Sequence, residues 1–207
     1  MVRTEKGPLF LDAAGRRYDA GQFPEAQARA NSMARQILES HSEGSDGALH
    51  LKFDALVSPD NNYVSILQSA EAVGLERFPV PYVLTNCHNS LCAVGGTVNE
   101  DDHVFGLDNV RRRGGIFVPP YRAVLHQYMR ERMAACGRMI LGSDSHTRYG
   151  ALGTMGVGEG GGELVRQLLG NTWDLTSAPP VVLVWLTGTP PKGVGPHEVA
   201  IALCGAV

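Results

Sequence analysis

The 207-residue chain contains no CxxC pair, no apolar stretch of membrane-spanning length and no excess of basic charge. Four cysteines, Cys87, Cys92, Cys136 and Cys204, are too few and too scattered to form a disulfide framework in a chain of this size. Cys87 and Cys92 flank His88 at C-x4-C spacing, but a tetrahedral zinc site needs four ligands and no second pair follows. Cys136 and Cys204 stand beside apolar residues of helical pattern and read as small buried hydrophobes. A net charge of -3 and a pI near 6.1 leave no electrostatic footprint for nucleic acid. The one basic run, Arg111-Arg112-Arg113, reads as the solvated end of a helix. The opening MVRTEKGPLFLD has no signal-peptide core, and no segment approaches the roughly 20 apolar residues of a membrane span, so the cytosol is the expected location.

What is present is apolar enough for a proper core, with 43% hydrophobic and 19% charged residues, and its periodicity alternates between helix and strand. Ala26, Ala30, Met33, Ile37 and Leu38 fall on one helical face, which ends in the loop from Ser42 to Gly47. A strand is predicted near Leu49 to Val57, then a turn at Ser58-Pro59-Asp60 and a helix carrying Tyr63, Val64, Ile66, Leu67 and Ala70. Val80 to Leu84 reads as a buried strand, Asp102 to Arg113 as a helix and Gly115 to Val118 as a strand. Tyr121 to Ala135 is predicted to be a helix with His126 inside it, and Arg138 to Leu141 the next strand. Glu163 to Leu169 is a short helix stopped by Gly170. Pro180 to Leu186 is the most apolar predicted strand, and Pro196 to Ala206 a terminal helix. This alternation predicts an α/β fold of three layers, a mainly parallel sheet flanked by helices, in one domain over 1–207.

The densest glycine in the chain lies in GSDSHTRYGALGTMGVGEGGG, residues 142–162. Such a run serves positive φ or close backbone approach, at a cost in unfolded-state entropy. Gly156 to Gly161 satisfies G-x-G-x-x-G literally, but about fourteen residues separate it from the predicted strand, and no G-K-[ST] closes the loop. Glu159 would also repel a phosphate. A nucleotide cradle is therefore not expected.

Asp144, Ser145 and His146 leave the carboxyl end of a predicted strand, where open α/β sheets place their ligands. A carboxylate there can orient an imidazole from another element as a positioned acid or base. His126, in the apolar turn Val124-Leu125-His126-Gln127, is the candidate partner. A lone inward histidine is equally what a satisfied core residue looks like.

GSDSHT followed by GALGTMGVGEGG resembles the signature of the aconitase family of hydro-lyases, and the resemblance extends over most of the chain. Ala123 to Gln127 resembles the family's histidine-bearing helix, Trp173-Asp174-Leu175 and Leu186-Thr187-Gly188 its run-out from the glycine loop, and Pro196 to Ala200 the segment closing its first domain. The resemblance implies a first-domain fold and a fragment of a larger multidomain hydratase. It implies a [4Fe-4S] cluster in the complete enzyme, none in this chain alone, and a small hydroxy-carboxylate substrate. Its partners would be the remaining aconitase-like domains, on the same chain or another subunit, with no nucleic acid or membrane involved. Carried over by position, Asp144 pairs with His126, Ser145 bonds a substrate carboxylate, and His146 and His88 line the pocket.

The chain departs from the family at two places. Cys87-His88-Asn89 stands where the family has an Asp-His pair, which removes the carboxylate that orients His88 and puts Asn89 at the substrate. Tyr63 stands near the position where the family carries a substrate-binding glutamine, which puts Tyr63 at the substrate although a phenol cannot reproduce both amide contacts. A stand-alone module that binds a small carboxylate or a partner protein without catalysis is the alternative.

Overall fold

A computed structural model describes residues 2–206 apart from Lys6, Pro8, Ala13, Asp19, Ser45 and residues 89–95, together with the side chains of all but Ala20 and Ala151 among them. In chain order the elements are β1 (Phe10–Leu11), β2 (Arg17–Tyr18), α1 (Glu25–Ala30), α2 (Met33–Ser40), β3 (Leu49–Leu51), β4 (Ala55–Pro59), α3 (Asp60–Ala72), β5 (Tyr82–Thr85) and α4 (Thr97–Arg113). There follow β6 (Ile116–Val118), α5 (Leu125–Arg132), β7 (Met139–Gly142), β8 (Met155–Gly158), α6 (Gly161–Leu168), β9 (Trp173–Leu175) and α7 (Pro196–Cys204). The chain divides into two compact units, residues 33–178 and residues 1–32 with 179–207.

The larger unit is built on a five-stranded, wholly parallel sheet in the order β6-β5-β4-β7-β8. Its central strands are apolar on both faces, as a sheet covered on both sides requires. Leu56, Tyr82, Leu84, Met139 and Leu141 pack with Tyr63, Ile66 and Leu67 of α3 and Leu164 and Leu168 of α6. The alternate residues Ala55, Val57, Val83 and Ile140 face the other way, onto Leu125 and Met129 of α5 and onto Tyr149. The period of two thus divides each strand between two cores, giving three layers. Each fully buried leucine contributes about 1.5–3 kcal/mol relative to exposure. Strand order reverses beside β4, which has β5 on one side and β7 on the other, so the crevice at their carboxyl ends is where an open sheet of this kind binds ligands.

Several predicted boundaries move. The helical face from Ala26 to Leu38 is two helices, because Asn31 and Ser32 favour caps and turns over helix interiors; only Ile37 and Leu38 of that face are buried. The strand predicted over Leu49 to Val57 bends at Asp54, whose carboxylate accepts the Met139 N–H at 2.9 Å. β3 consequently pairs antiparallel with β9 rather than joining the main sheet. The helix predicted from Tyr121 begins only at Leu125, since Tyr121 has a φ of 66° and its N–H donates to Cys87 Sγ. Cys136 lies in the turn beyond α5 and Cys204 at the end of α7, and both are exposed rather than buried. Arg113 is not solvated: its guanidinium donates to Glu71 at 2.6 Å and to Asn109 at 3.0 Å.

In the smaller unit β1 and β2 pair antiparallel, Tyr18 meets Phe23 edge to face, and the Trp185 ring lies against Gly15. Pro196 opens α7, where the Gly195 N–H donates to Glu198 at 2.8 Å. The strand predicted at Pro180 to Leu186 is not formed. Val181 to Leu186 are all about half exposed or more, because an apolar run becomes a strand only when a neighbouring strand accepts its ladder of hydrogen bonds.

Candidate active site

Beyond β7 the chain still follows β4, with the Ser143 N–H donating to the Val57 carbonyl. It then turns sharply, and the Asp144 carbonyl accepts both the backbone N–H and the hydroxyl of Thr147, at 3.0 and 2.7 Å. Asn62 of α3 donates to the Ser143 carbonyl at 3.1 Å, and Ser143 Oγ donates to Ser58 Oγ at 2.9 Å. The root of the loop is thereby fixed to the ends of β4 and α3.

The glycines that follow are required by this turn. A Cβ at Gly142 would collide with the Thr147 side chain, one at Gly156 with the Tyr149 backbone N, and one at Gly158 would stand 2.5 Å from the Asp144 carbonyl. The glycine run also contains β8, so Gly156 and Gly158 are strand residues and Glu159-Gly160 leads directly into α6. The separation of the G-x-G-x-x-G from a strand, expected from the sequence, therefore disappears. The glycines nonetheless lie within the strand, against the 144–149 turn, rather than in the phosphate-facing turn of a dinucleotide fold.

The Asp144 side chain is 8% exposed and is the centre of the cluster. Its Oδ2 lies 2.6 Å from His88 Nε2, just past β5. Its Oδ1 accepts the His146 backbone N–H at 2.8 Å and lies 3.1 Å from His126 Nε2 and 3.2 Å from His146 Nδ1. On the far side of the His126 ring, Nδ1 is 2.8 Å from the Tyr149 hydroxyl. Burial pushes the Asp144 carboxyl up, but the His146 N–H and His88 together outweigh it and hold the group below its ordinary value. Burial holds His126 below its ordinary value against the pull of Asp144, with His88, His146 and Arg130 adding to the depression. At neutral pH the site is an ionised carboxylate flanked by a neutral His126, the pairing a positioned proton-transfer group requires.

The structure brings together four of the residues singled out by sequence, His88, His126, Asp144 and His146, with Ser145 exposed beside His146. Tyr63, expected at the substrate, is instead fully buried, its hydroxyl donating to Asn86 Oδ1 at 2.7 Å with the Asp102 carbonyl at 2.9 Å. A phenol so placed is a core strut, not a ligand contact. Asn89 lies outside the described residues. Tyr149 is the residue that sequence reasoning missed, because its contact is with a ring 23 residues away in sequence.

His88, His126 and Asp144 offer ligand atoms within 4.8 Å of one another, the one such group among the described residues. Two ligands on a tetrahedral zinc stand roughly 3.3 Å apart at ordinary bond lengths. The 2.6 Å contact of His88 with Asp144 is the distance of a direct hydrogen bond, and a metal would have to part the pair.

Residues 35–207 match the aconitase family (aconitate hydratase), and the chain belongs to that family. It is 28% identical over 204 residues to a putative mitochondrial aconitate hydratase of Emericella nidulans, covering 86% of this chain and 25% of that protein. It is 31% identical to the mitochondrial homocitrate dehydratase of Saccharomyces cerevisiae, over 76% of this chain and 21% of that protein. It is 35% identical to 3-isopropylmalate dehydratase large subunit 2 of Archaeoglobus fulgidus, over 51% of this chain and 25% of that protein. The chain thus spans about a quarter of the length of these relatives.

The family's cofactor is a [4Fe-4S] cluster. Among the described residues the thiols do not fit one: Cys87 is buried with its sulfur accepting the Tyr121 N–H, and Cys136 and Cys204 are exposed in different units. No three of them form a ligand group, whereas a cubane needs thiolates held together by the fold. No helix among the described residues is long and apolar enough to cross a membrane.

Proposed function

We propose that this chain is the histidine-aspartate wall of an aconitase-like hydro-lyase, acting with the remaining hydratase domains on a small hydroxy-carboxylate. The observation that supports it is the buried Asp144 carboxylate, with His88 Nε2 at 2.6 Å and His126 Nε2 at 3.1 Å, at the carboxyl ends of parallel strands. Dehydration of a hydroxy-acid removes a proton from carbon and delivers one to the departing hydroxyl. A fixed carboxylate bearing imidazoles can hold and return such protons. Asp144 keeps His88 and His126 oriented, and His146 and Ser145, exposed at the rim, meet the substrate carboxylate. The iron-sulfur ligands come from the remaining domains.

The departure at Cys87 acquires a physical meaning here. Without an aspartate beside it, His88 takes the same carboxylate as His126, so one acid serves both rings. Location follows the assembled enzyme, cytosolic or, as the names of the fungal relatives indicate for those proteins, mitochondrial.

The test is reconstitution. The chain is combined with a cysteine-bearing aconitase-family remainder, loaded with iron and sulfide, and assayed for hydration of aconitate-type acids. Turnover is expected from the pair and not from the chain alone, and Asp144→Asn should lower it by about 10²–10⁴-fold. Undiminished turnover with Asp144→Asn would overturn the assignment, and a brown, active chain on its own would overturn the division of labour.

A further inference from the structure

Three of the four groups around Asp144 are accounted for by the proposed chemistry, and the phenol behind His126 is not. Tyr149 is 1% exposed and lies in the core formed by Leu125, Met129 and Ile140, yet its hydroxyl meets His126 Nδ1 at 2.8 Å. A neutral imidazole carries one proton, on Nδ1 or on Nε2. If Nδ1 carried it, the bare lone pair of Nε2 would face the ionised Asp144 Oδ1 at 3.1 Å, a repulsive arrangement. If Nε2 carries it, the proton lies on the side of the carboxylate and Nδ1 needs a donor.

We propose that Tyr149 is a positioning residue whose hydroxyl proton occupies His126 Nδ1 and so fixes the neutral ring as the Nε2–H tautomer, with that proton on the Asp144 side. Two further observations support this. Burial pushes the phenol well above its ordinary value, so it keeps the proton it must donate. His126 Nε2 is buried without a hydrogen-bond partner, 3.1 Å from Asp144 Oδ1 but off the line of a hydrogen bond to it, so its proton lies beside the carboxylate without being committed to it. In catalysis, which rests on the hydratase proposal, this would make Nε2 the atom of His126 that exchanges a proton and keep Nδ1 out of the reaction.

The groups facing His126 are Asp144, His88, His146, Arg130 and Tyr149, and only the last is changed in the test. The 207-residue chain is labelled with ¹⁵N-histidine, and the His126 side-chain nitrogens, assigned with His126→Gln, are followed by NMR across a pH titration. The wild type is expected to show a bare Nδ1 and a protonated Nε2. Tyr149→Phe removes a donor to the neutral form, so Nδ1–H should become populated and the His126 midpoint should rise by about half a unit to one unit. Should the phenylalanine variant fail to fold, 3,5-difluorotyrosine at position 149, a stronger donor of nearly the same shape, should move the midpoint the other way.

A wild-type proton on Nδ1, or a tautomer and midpoint indifferent to the change at 149, overturns the proposal. Neither readout involves substrate or turnover. An unchanged tautomer would therefore leave the hydratase proposal standing, and a failed reconstitution would leave this result legible.

Discussion

Two histidines in the larger unit are held by opposite electrostatics, and their effects on stability run in opposite directions with pH. His126 has its folded value depressed, chiefly by burial. Its contribution is complete above the ordinary histidine value of 6.5 and is lost as pH falls below it, because the unfolded chain then binds the proton more readily. His50 stands between Asp174, at 2.8 Å from Nδ1, and Asp46, at 3.1 Å from Nε2, and these carboxylates raise its value. Its contribution is complete below 6.5 and is lost as pH rises through the raised value. Urea unfolding at a series of pH values should show His126→Gln flattening the acid side of the profile and His50→Gln the alkaline side; the reverse pattern would contradict both assignments. The Asp144 cluster was partly legible in the sequence, because a strand that ends in Asp-Ser-His points its acid at the sheet's carboxyl crevice. Tyr149 was not legible. Its role depends on a turn that brings its hydroxyl back beneath a ring 23 residues away in sequence, and periodicity carries no information about such a return.

Among the elements, β8 shows why glycine density is a poor guide to loop. Met155-Gly156-Val157-Gly158 pairs in register with Met139 to Gly142 along its whole length, although glycine weakens strands in general. The exception arises because this edge strand has the Asp144 turn lying against one face, and a side chain at 156 or 158 would push the turn away. Gly156→Ala should cost about 1–3 kcal/mol in unfolding free energy, the usual penalty for overpacking, and should disturb the His126 and His146 resonances. Gly162 lies in α6 with nothing within 4 Å of its would-be Cβ. There Gly162→Ala should stabilise by about 0.5–1 kcal/mol. Equal effects at the two positions, measured by chemical denaturation, would show that backbone approach is not what the first glycine serves. The central strands were legible because they are continuous apolar runs; β8 was hidden because its residues are chosen by what lies over them.

For the molecule as a whole, the unpaired run from Val181 to Leu186 is the feature least compatible with isolation. Each of its six residues is apolar, and they range from 48% to 76% exposed. Both of its potential faces are apolar, the pattern of a strand meant to lie inside a covered sheet rather than at a wet edge, and contiguous exposed apolar surface promotes association. The chain spans about a quarter of its relatives' length, so the occupant proposed for this run is the remainder of an aconitase-family hydratase, supplying the neighbouring strand. Val182→Lys with Val184→Lys places two charges on one face of the run and changes no residue of the larger unit. In sedimentation experiments the unmodified chain should self-associate at micromolar concentrations and bind the hydratase remainder. The double variant should do neither, while its urea midpoint and its Asp144-cluster resonances stay unchanged. A monomeric wild type that binds the remainder no better than the lysine variant would remove this run from the assembly and leave its exposure a property of the smaller unit alone.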